Sequence, residues 1–220
     1  MDFQKARYNM VEQQIRPWDV LDFDILDALD EIPRELFVSQ AQLGYAYADL
    51  ALPLPNGGKM LEPKVVARMV QGLTLQKNDR VLEVGTGSGY ATALLAKLAG
   101  EVLTCDVDST QLAAAKSVLD GLQIMNVRYE AIDGLQGVAD VTFDAIYVGG
   151  SLPEIPEILK NQLVDGGRMV VVVGCEPVQH CIQITRTGSE FLQKTLFDTL
   201  IAPLQADSAN WLKATGKFTF

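Results

Sequence analysis

Apolar residues recur along this 220-residue chain with two different periods, and the change between them divides it into two regions. Up to about residue 78 the period is helical. Ile25, Leu26, Leu29 and Ile32 fall on one helix face, with Pro33 restarting the chain. Val65, Val66, Met69, Val70 and Leu73 mark a second helix that begins near Pro63, a residue suited to a first turn. Between them, "AYADLALPLPNGGKMLEP" (46–63) has no helical period, and its prolines and glycines predict a long ordered loop. Loops of that length often carry function, so this one is expected over the ligand end of the sheet described next.

From residue 80 onward, short apolar runs alternate with helical stretches. "RVLEV", "EVLTCDV", "NVRYEAI", "FDAIYVG" and "RMVVVVG" predict five strands. The first intervening helix runs to about Ala99, with Gly100 as its stop. The second carries Leu112, Ala115, Leu119 and Leu122 on one face, with Ser109 near its start and Gly121 near its end. A short helix opens at Pro156 and leads through Leu159 and Leu163 to an Asp165-Gly166-Gly167 turn. The unbroken apolar run of the fifth strand suits a parallel sheet covered on both faces. The alternation predicts a doubly wound α/β fold. The rhythm then changes: "HCIQITR" and "EFLQKTLFDTLI", joined by Thr187-Gly188-Ser189, leave no room for a crossover helix and predict an antiparallel hairpin at the sheet edge. Residues 1–78 are therefore expected to form a helical lobe and 79–220 an α/β core, packed as one compact domain.

The first strand runs straight into glycines, in "VLEVGTGSGYATALLA" (81–96). Strand, tight loop and helix in this order are expected to bring free N–H groups and a helix N-terminus to one point beyond the strand, suited to a polar or anionic ligand. A dinucleotide fingerprint needs its third glycine where Tyr90 stands, and a P-loop needs a Lys and a hydroxyl that the segment lacks. The remaining pattern, Glu83 followed by Gly85, Gly87 and Gly89, leaves room for a ligand with both a nucleoside and an amino acid end. Asp106 closes the second strand, where a carboxylate can take two ribose hydroxyls, while Asp108 reads as a helix cap. Asp133-Gly134 follows the third strand, where an adenine amino group is commonly met. Together these residues point to S-adenosylmethionine.

Composition narrows the partners. The net charge of −10 is spread without a basic cluster, which disfavours nucleic acid, and no run approaches the ~18 apolar residues of a membrane span. The N-terminus has no signal-peptide core, so a cytoplasmic protein is expected. Cys105, Cys175 and Cys181 have no metal spacing and read as buried free thiols; the one histidine, His180, reads as structural.

"MVEQQIR", "IPRELFV", "YADLALPLPNGGKMLEP", "FDAIYVGGSLPEIPEIL", "LVDGGRMVVVVG" and "APL" together resemble the protein-L-isoaspartate O-methyltransferases over nearly the whole chain. The resemblance implies a class I methyltransferase sheet in the order 3-2-1-4-5-7-6, S-adenosylmethionine as methyl donor, and the free carboxylate of an isoaspartyl protein residue as acceptor. It places Glu83, Gly85, Thr86, Gly87, Gly89, Asp106, Val107, Asp133 and Gly134 around the cofactor. One block departs from the pattern. Where the family reads G-x-G-Q-T-I-S-x-P, this chain has "NGGKMLEP": Gly58 stands for Gln, Lys59 for Thr, and Leu61 for the Ser held to position the acceptor. Lys59 reads first as a solvated loop lysine, with a cation that meets an anionic acceptor as the alternative. A methyltransferase for another small carboxylate or phenol, and a binding module without chemistry, are the competing readings; a dehydrogenase is more distant.

Overall fold

The glycine-rich segment lies at the carboxyl edge of a seven-stranded sheet in the computed structural model, which describes residues 2–205. The end of the expected core region, 206–220, lies outside the described residues. Three α-helices come first, with shorter helical turns between them: α1 (Phe3–Met10), whose N-terminus is capped by Asp2, α2 (Phe23–Glu31) and α3 (Pro63–Leu73). Within the loop between α2 and α3, β1 (Leu52–Pro53) and β2 (Lys59–Met60) pair antiparallel, a small ribbon that the proline-rich pattern does not announce. The α/β region follows with β3 (Arg80–Val84), α4 (Tyr90–Leu98), β4 (Glu101–Cys105), α5 (Ser109–Gly121) and β5 (Val127–Glu130). Next come β6 (Phe143–Leu152), α6 (Glu157–Asn161), β7 (Leu163–Cys175), β8 (Val178–Thr187) and β9 (Glu190–Thr199).

The sheet order is β5-β4-β3-β6-β7-β8-β9, with β5 through β7 parallel and β8 antiparallel to both of its neighbours. Numbered from β3, this is 3-2-1-4-5-6-7, and it corrects the expected exchange of the last two strands. The cause is local. Only Glu176 and Pro177 separate β7 from β8, so β8 must fold back directly onto β7, and β9 is left at the outer edge. The expected Asp165-Gly166-Gly167 turn is absorbed into β7, where the register with β6 shifts.

Period-two alternation sorts the side chains of the sheet. Val81, Ala145, Tyr147, Val170 and Val172 face the helical lobe and share one core with Ile15, Leu29, Met69 and Leu95. Leu82, Val84, Ile146, Val148 and Val171 form the core on the opposite face with Leu159 and Leu163. Burying one such side chain contributes about 1.5–3 kcal/mol, so the lobe is fastened to the sheet by many small terms and by no single contact. Asp108 caps α5 as expected, accepting from the N–H groups of Thr110 and Gln111. Cys105 and Cys181 are buried, but Cys175 is exposed, because it ends β7 at the hairpin where the covering layers stop. His180 is exposed too, its ring bonded at 2.7 Å to Asp198 across the β8–β9 pair. No described helix is long and apolar enough to cross a membrane.

Candidate active site

A crevice opens where β3, β4 and β6 end. Its walls include Gly85, Gly87, Asp106, Val107, Asp133, Gly134 and Gly149 from the sheet edge, and Leu54, Asn56, Gly58 and Lys59 from the covering loop. That loop lies over the ligand end of the sheet, as its composition suggested. A third wall, residues 202–205, comes from the chain after β9. Ser151 fixes that segment: its N–H donates to the Ala202 carbonyl and its own carbonyl accepts from the Leu204 N–H, both at 3.0 Å.

Glycine is required at position 85 for two reasons. Its φ of +92° lies in the left-handed region, and a Cβ there would come within 2.5 Å of the Leu204 side chain. The loop's N–H groups, however, are not free, contrary to the expectation drawn from the glycines. Those of Gly85 and Thr86 bond to the Cys105 carbonyl, that of Gly87 to Asp106 and that of Gly89 to the Thr86 carbonyl. These four N–H groups are spent inside the turn and are not offered to a ligand.

Asp106 is held for bonding. One carboxylate oxygen accepts from Gly87 N–H and the other from Asp108 N–H, each at 3.0 Å, which fixes the group and leaves further lone pairs toward the crevice. Asp133 accepts from Leu135 N–H through one oxygen, while the other is buried without a partner among the described residues. Val107 and Ile132, both substantially exposed large apolar residues, line the same crevice and present flat apolar surface near these carboxylates. Ile132 was not singled out in the sequence, although an exposed apolar residue just past a strand is a usable signal. Gln111, which donates to the Gly87 carbonyl at 2.7 Å, carries no such signal.

Three expected cofactor residues lie off this crevice. Glu83 points instead into the layer between the sheet and α4, because on β3 it faces the side opposite to Leu82 and Val84. There Thr92 and Thr104 each donate a hydroxyl to its Oε2 at 2.6 Å, and Thr86 joins the chain through Thr104, also at 2.6 Å. Burial pushes the Glu83 carboxyl up to about 8, against the lowering effect of the two hydroxyls and with a small upward contribution from Asp106. Glu83 thus braces the loop from beneath as a largely neutral acid at pH 7. Gly89, at φ +85°, is the N-cap of α4 and would touch Ala115 of α5 if it carried a Cβ. Thr86 lines a second pocket.

That second pocket adjoins the first through Gly85, Gly87, Gly149 and Lys59, and adds Met60, Leu61, Val66, Ser88, Tyr90, Ala91 and Tyr147. Leu61 is buried, and its carbonyl accepts from Arg34 Nη2 at 2.8 Å. Arg34, fully buried, also donates through Nε to the Ala46 carbonyl at 2.9 Å, so one guanidinium ties both ends of the covering loop. The same group lies 4.7 Å above the Tyr90 ring. Lys59 is exposed at the junction of the two pockets.

Comparison with known proteins agrees with this geometry. Residues 5–209 match the family described as "Protein-L-isoaspartate(D-aspartate) O-methyltransferase (PCMT)". A protein-L-isoaspartate O-methyltransferase of Roseiflexus castenholzii is 38% identical, covering 93% of this chain and 94% of its own. One of Syntrophus aciditrophicus is 41% identical, covering 86% and 87%. A solved protein-L-isoaspartate O-methyltransferase superposes with a TM-score of 0.79 at 25% identity, over 92% of this chain and 66% of its own. A putative enzyme of that name from Plasmodium falciparum, solved with S-adenosyl-L-homocysteine, shares the fold with a TM-score of 0.76 at 20% identity, over 93% and 99%.

Proposed function

Since the chain belongs to the protein-L-isoaspartate(D-aspartate) O-methyltransferase family, we propose that it methylates the free carboxylate of isoaspartyl residues in proteins, with S-adenosylmethionine as donor. The observation that carries this reading is the pairing of two adjoining pockets at one glycine loop, one lined by Asp106 and Asp133, the other by Leu61 and Tyr147. The first suits an adenosyl group. The unpartnered Asp133 oxygen matches an amino donor, Asp106 offers acceptors to two hydroxyls, and Val107 with Ile132 offers apolar surface to a flat ring.

S-adenosylmethionine, when bound, supplies an electrophilic methyl group on a sulfonium. The rest falls to the chain. A free carboxyl group ordinarily titrates near pH ~4 and is already ionised at neutral pH, so no general base is demanded. The protein must align the carboxylate with the methyl group and keep water away while opposite charges merge. The covering loop, fixed at both ends by Arg34, and residues 202–205 supply the enclosure.

Labelled methyl transfer tests the proposal. An isoaspartyl peptide should acquire a base-labile methyl ester while its normal aspartyl twin does not. Normal S-adenosylmethionine binding without labelling of the isoaspartyl peptide would overturn it. One observation favours a second reading, a different acceptor: the buried side chain of Leu61 makes the second pocket more apolar than a serine would. Labelling of a small carboxylate or phenol in a metabolite extract, with the peptide unlabelled, would select that reading.

A further inference from the structure

The second pocket holds unsatisfied hydrogen-bonding groups that the fold alone does not require. Among the described residues, the hydroxyl of Tyr147 is buried without a partner; that of Tyr90, also closed to solvent, meets only the Arg34 guanidinium behind the pocket wall, which leaves it without a well-formed hydrogen bond. Both tyrosines are 1% exposed and both line the pocket beside Leu61 and the glycine loop. A buried polar group left unpaired is costly, and such costs persist where a ligand later supplies the partner.

The arrangement has a direction. Tyr147 stands on β6 in register with Glu83 on β3 and with Val170 on β7, so its side chain rises from the sheet into the layer that holds α4 and the covering loop. Burial pushes the phenol of Tyr90 up to about 12 and that of Tyr147 higher still. Both therefore stay protonated at working pH and act as donors. Neighbouring Glu83 is largely neutral below about pH 8 and does not repel an anion there. Arg34 beneath and Lys59 at the mouth make the pocket attractive to one.

Resting on the methyl-transfer reading above, we propose that the Tyr147 hydroxyl, supported by that of Tyr90, is the donor that seats the acceptor carboxylate in this pocket, replacing the hydroxyl that Leu61 lacks. One carboxylate oxygen accepts the phenol hydrogen. The other forms the new O–CH3 bond as the S–CH3 bond breaks and its electron pair stays on sulfur, so no proton changes hands. The phenol hydroxyls are closed to solvent, and the buried Leu61 side chain stands beside them in the pocket wall.

The test compares Tyr147→Phe, and separately Tyr90→Phe, with the unaltered protein. Tyr147→Phe removes only an unpartnered hydroxyl, so its thermal midpoint should be unchanged or higher, and its affinity for S-adenosylhomocysteine should stay the same. KM for an isoaspartyl peptide should rise about 10- to 100-fold, the usual weight of a hydrogen bond to a charged group, with kcat less affected. Tyr90→Phe should act in the same direction but less. Binding of the same peptide to the S-adenosylhomocysteine complex, followed by calorimetry, gives a readout independent of turnover and should weaken in parallel. Equal KM and peptide affinity in Tyr147→Phe and the unaltered protein would overturn the assignment. So would a loss of activity matched by a lower midpoint. An unaltered protein that binds the peptide but transfers no methyl group would overturn the functional reading while leaving the seat supported; failure to bind the peptide at all would overturn both.

Discussion

The two pockets that meet at the glycine loop are built by opposite rules. On the adenosyl side, the N–H groups of Gly85, Thr86 and Gly87 are committed to Cys105 and Asp106, and Asp106 is clamped by two N–H groups, while Glu83 braces the turn from the opposite face through three threonines. Among the described residues, one oxygen of Asp133 is the buried side-chain atom lining that pocket without a partner. On the acceptor side, the Tyr147 hydroxyl is closed to solvent without a partner, and that of Tyr90 has only the Arg34 guanidinium beside it. The first half is a finished mould for a fixed ligand. The second, on the proposed reading, supplies its hydrogen bonds to an acceptor carboxylate rather than to the chain.

The largest effect expected from breaking the finished half concerns its brace. Glu83 binds its proton more tightly folded than unfolded, so its contribution is fully present below the ordinary carboxylate range and is lost as the pH rises through about 8. Glu83→Gln removes that loss and should raise stability at pH 8 by about 3–5 kcal/mol. The gain should shrink toward nothing by pH 4; urea denaturation at the two pH values checks it, and a pH-independent difference would show that Glu83 is not the titrating group. Gly85→Ala strains a left-handed residue and drives a methyl group into Leu204. Calorimetry should find S-adenosylhomocysteine bound about 5- to 150-fold more weakly, on strain of about 1–3 kcal/mol. Asp106→Ala should cost about tenfold to thirtyfold in the same measurement, since it removes acceptors but leaves the turn closed. Unchanged affinity in the folded variant would mean that another carboxylate meets the ribose.

The smallest effect belongs to the acceptor half. Leu61→Ser, preferably with Lys59→Thr, restores a hydroxyl and clears the path to Tyr147. Isoaspartyl transfer should rise about threefold to tenfold, less than a full charged hydrogen bond because the phenols already donate. Affinity for S-adenosylhomocysteine should hardly move. Transfer assays on the folded double variant that show no gain would mean that the hydroxyl's absence does not limit the reaction.

The same contrast decides what could be read from the sequence. Asp106, Asp108 and the glycines at 85 and 87 were legible because backbone geometry fixes their chemistry: a strand end, a helix cap, a positive φ. Glu83 was legible as important but not in role, because which face of β3 it occupies depends on the pairing with β4 and β6. The last two strands were misordered because the two-residue connection at Glu176 and Pro177 carries no glycine-based turn signal. Tyr90 and Tyr147 were invisible as a pair, since one opens a helix and the other lies mid-strand; only tertiary packing brings them to one pocket.

The strap that Ser151 holds across the crevice also sets a clock. Strands β3 to β5 and their helices follow one another in sequence and can pair as they are synthesised, but Leu204 reaches Gly85 only after the β8–β9 hairpin has been made. The adenosyl pocket therefore cannot be completed until the chain has been made through Leu204, more than a hundred residues past Gly85. A nascent chain halted before the hairpin would present an open sheet edge and no enclosed ligand site. Ligand capture thereby becomes a report that synthesis has passed β9.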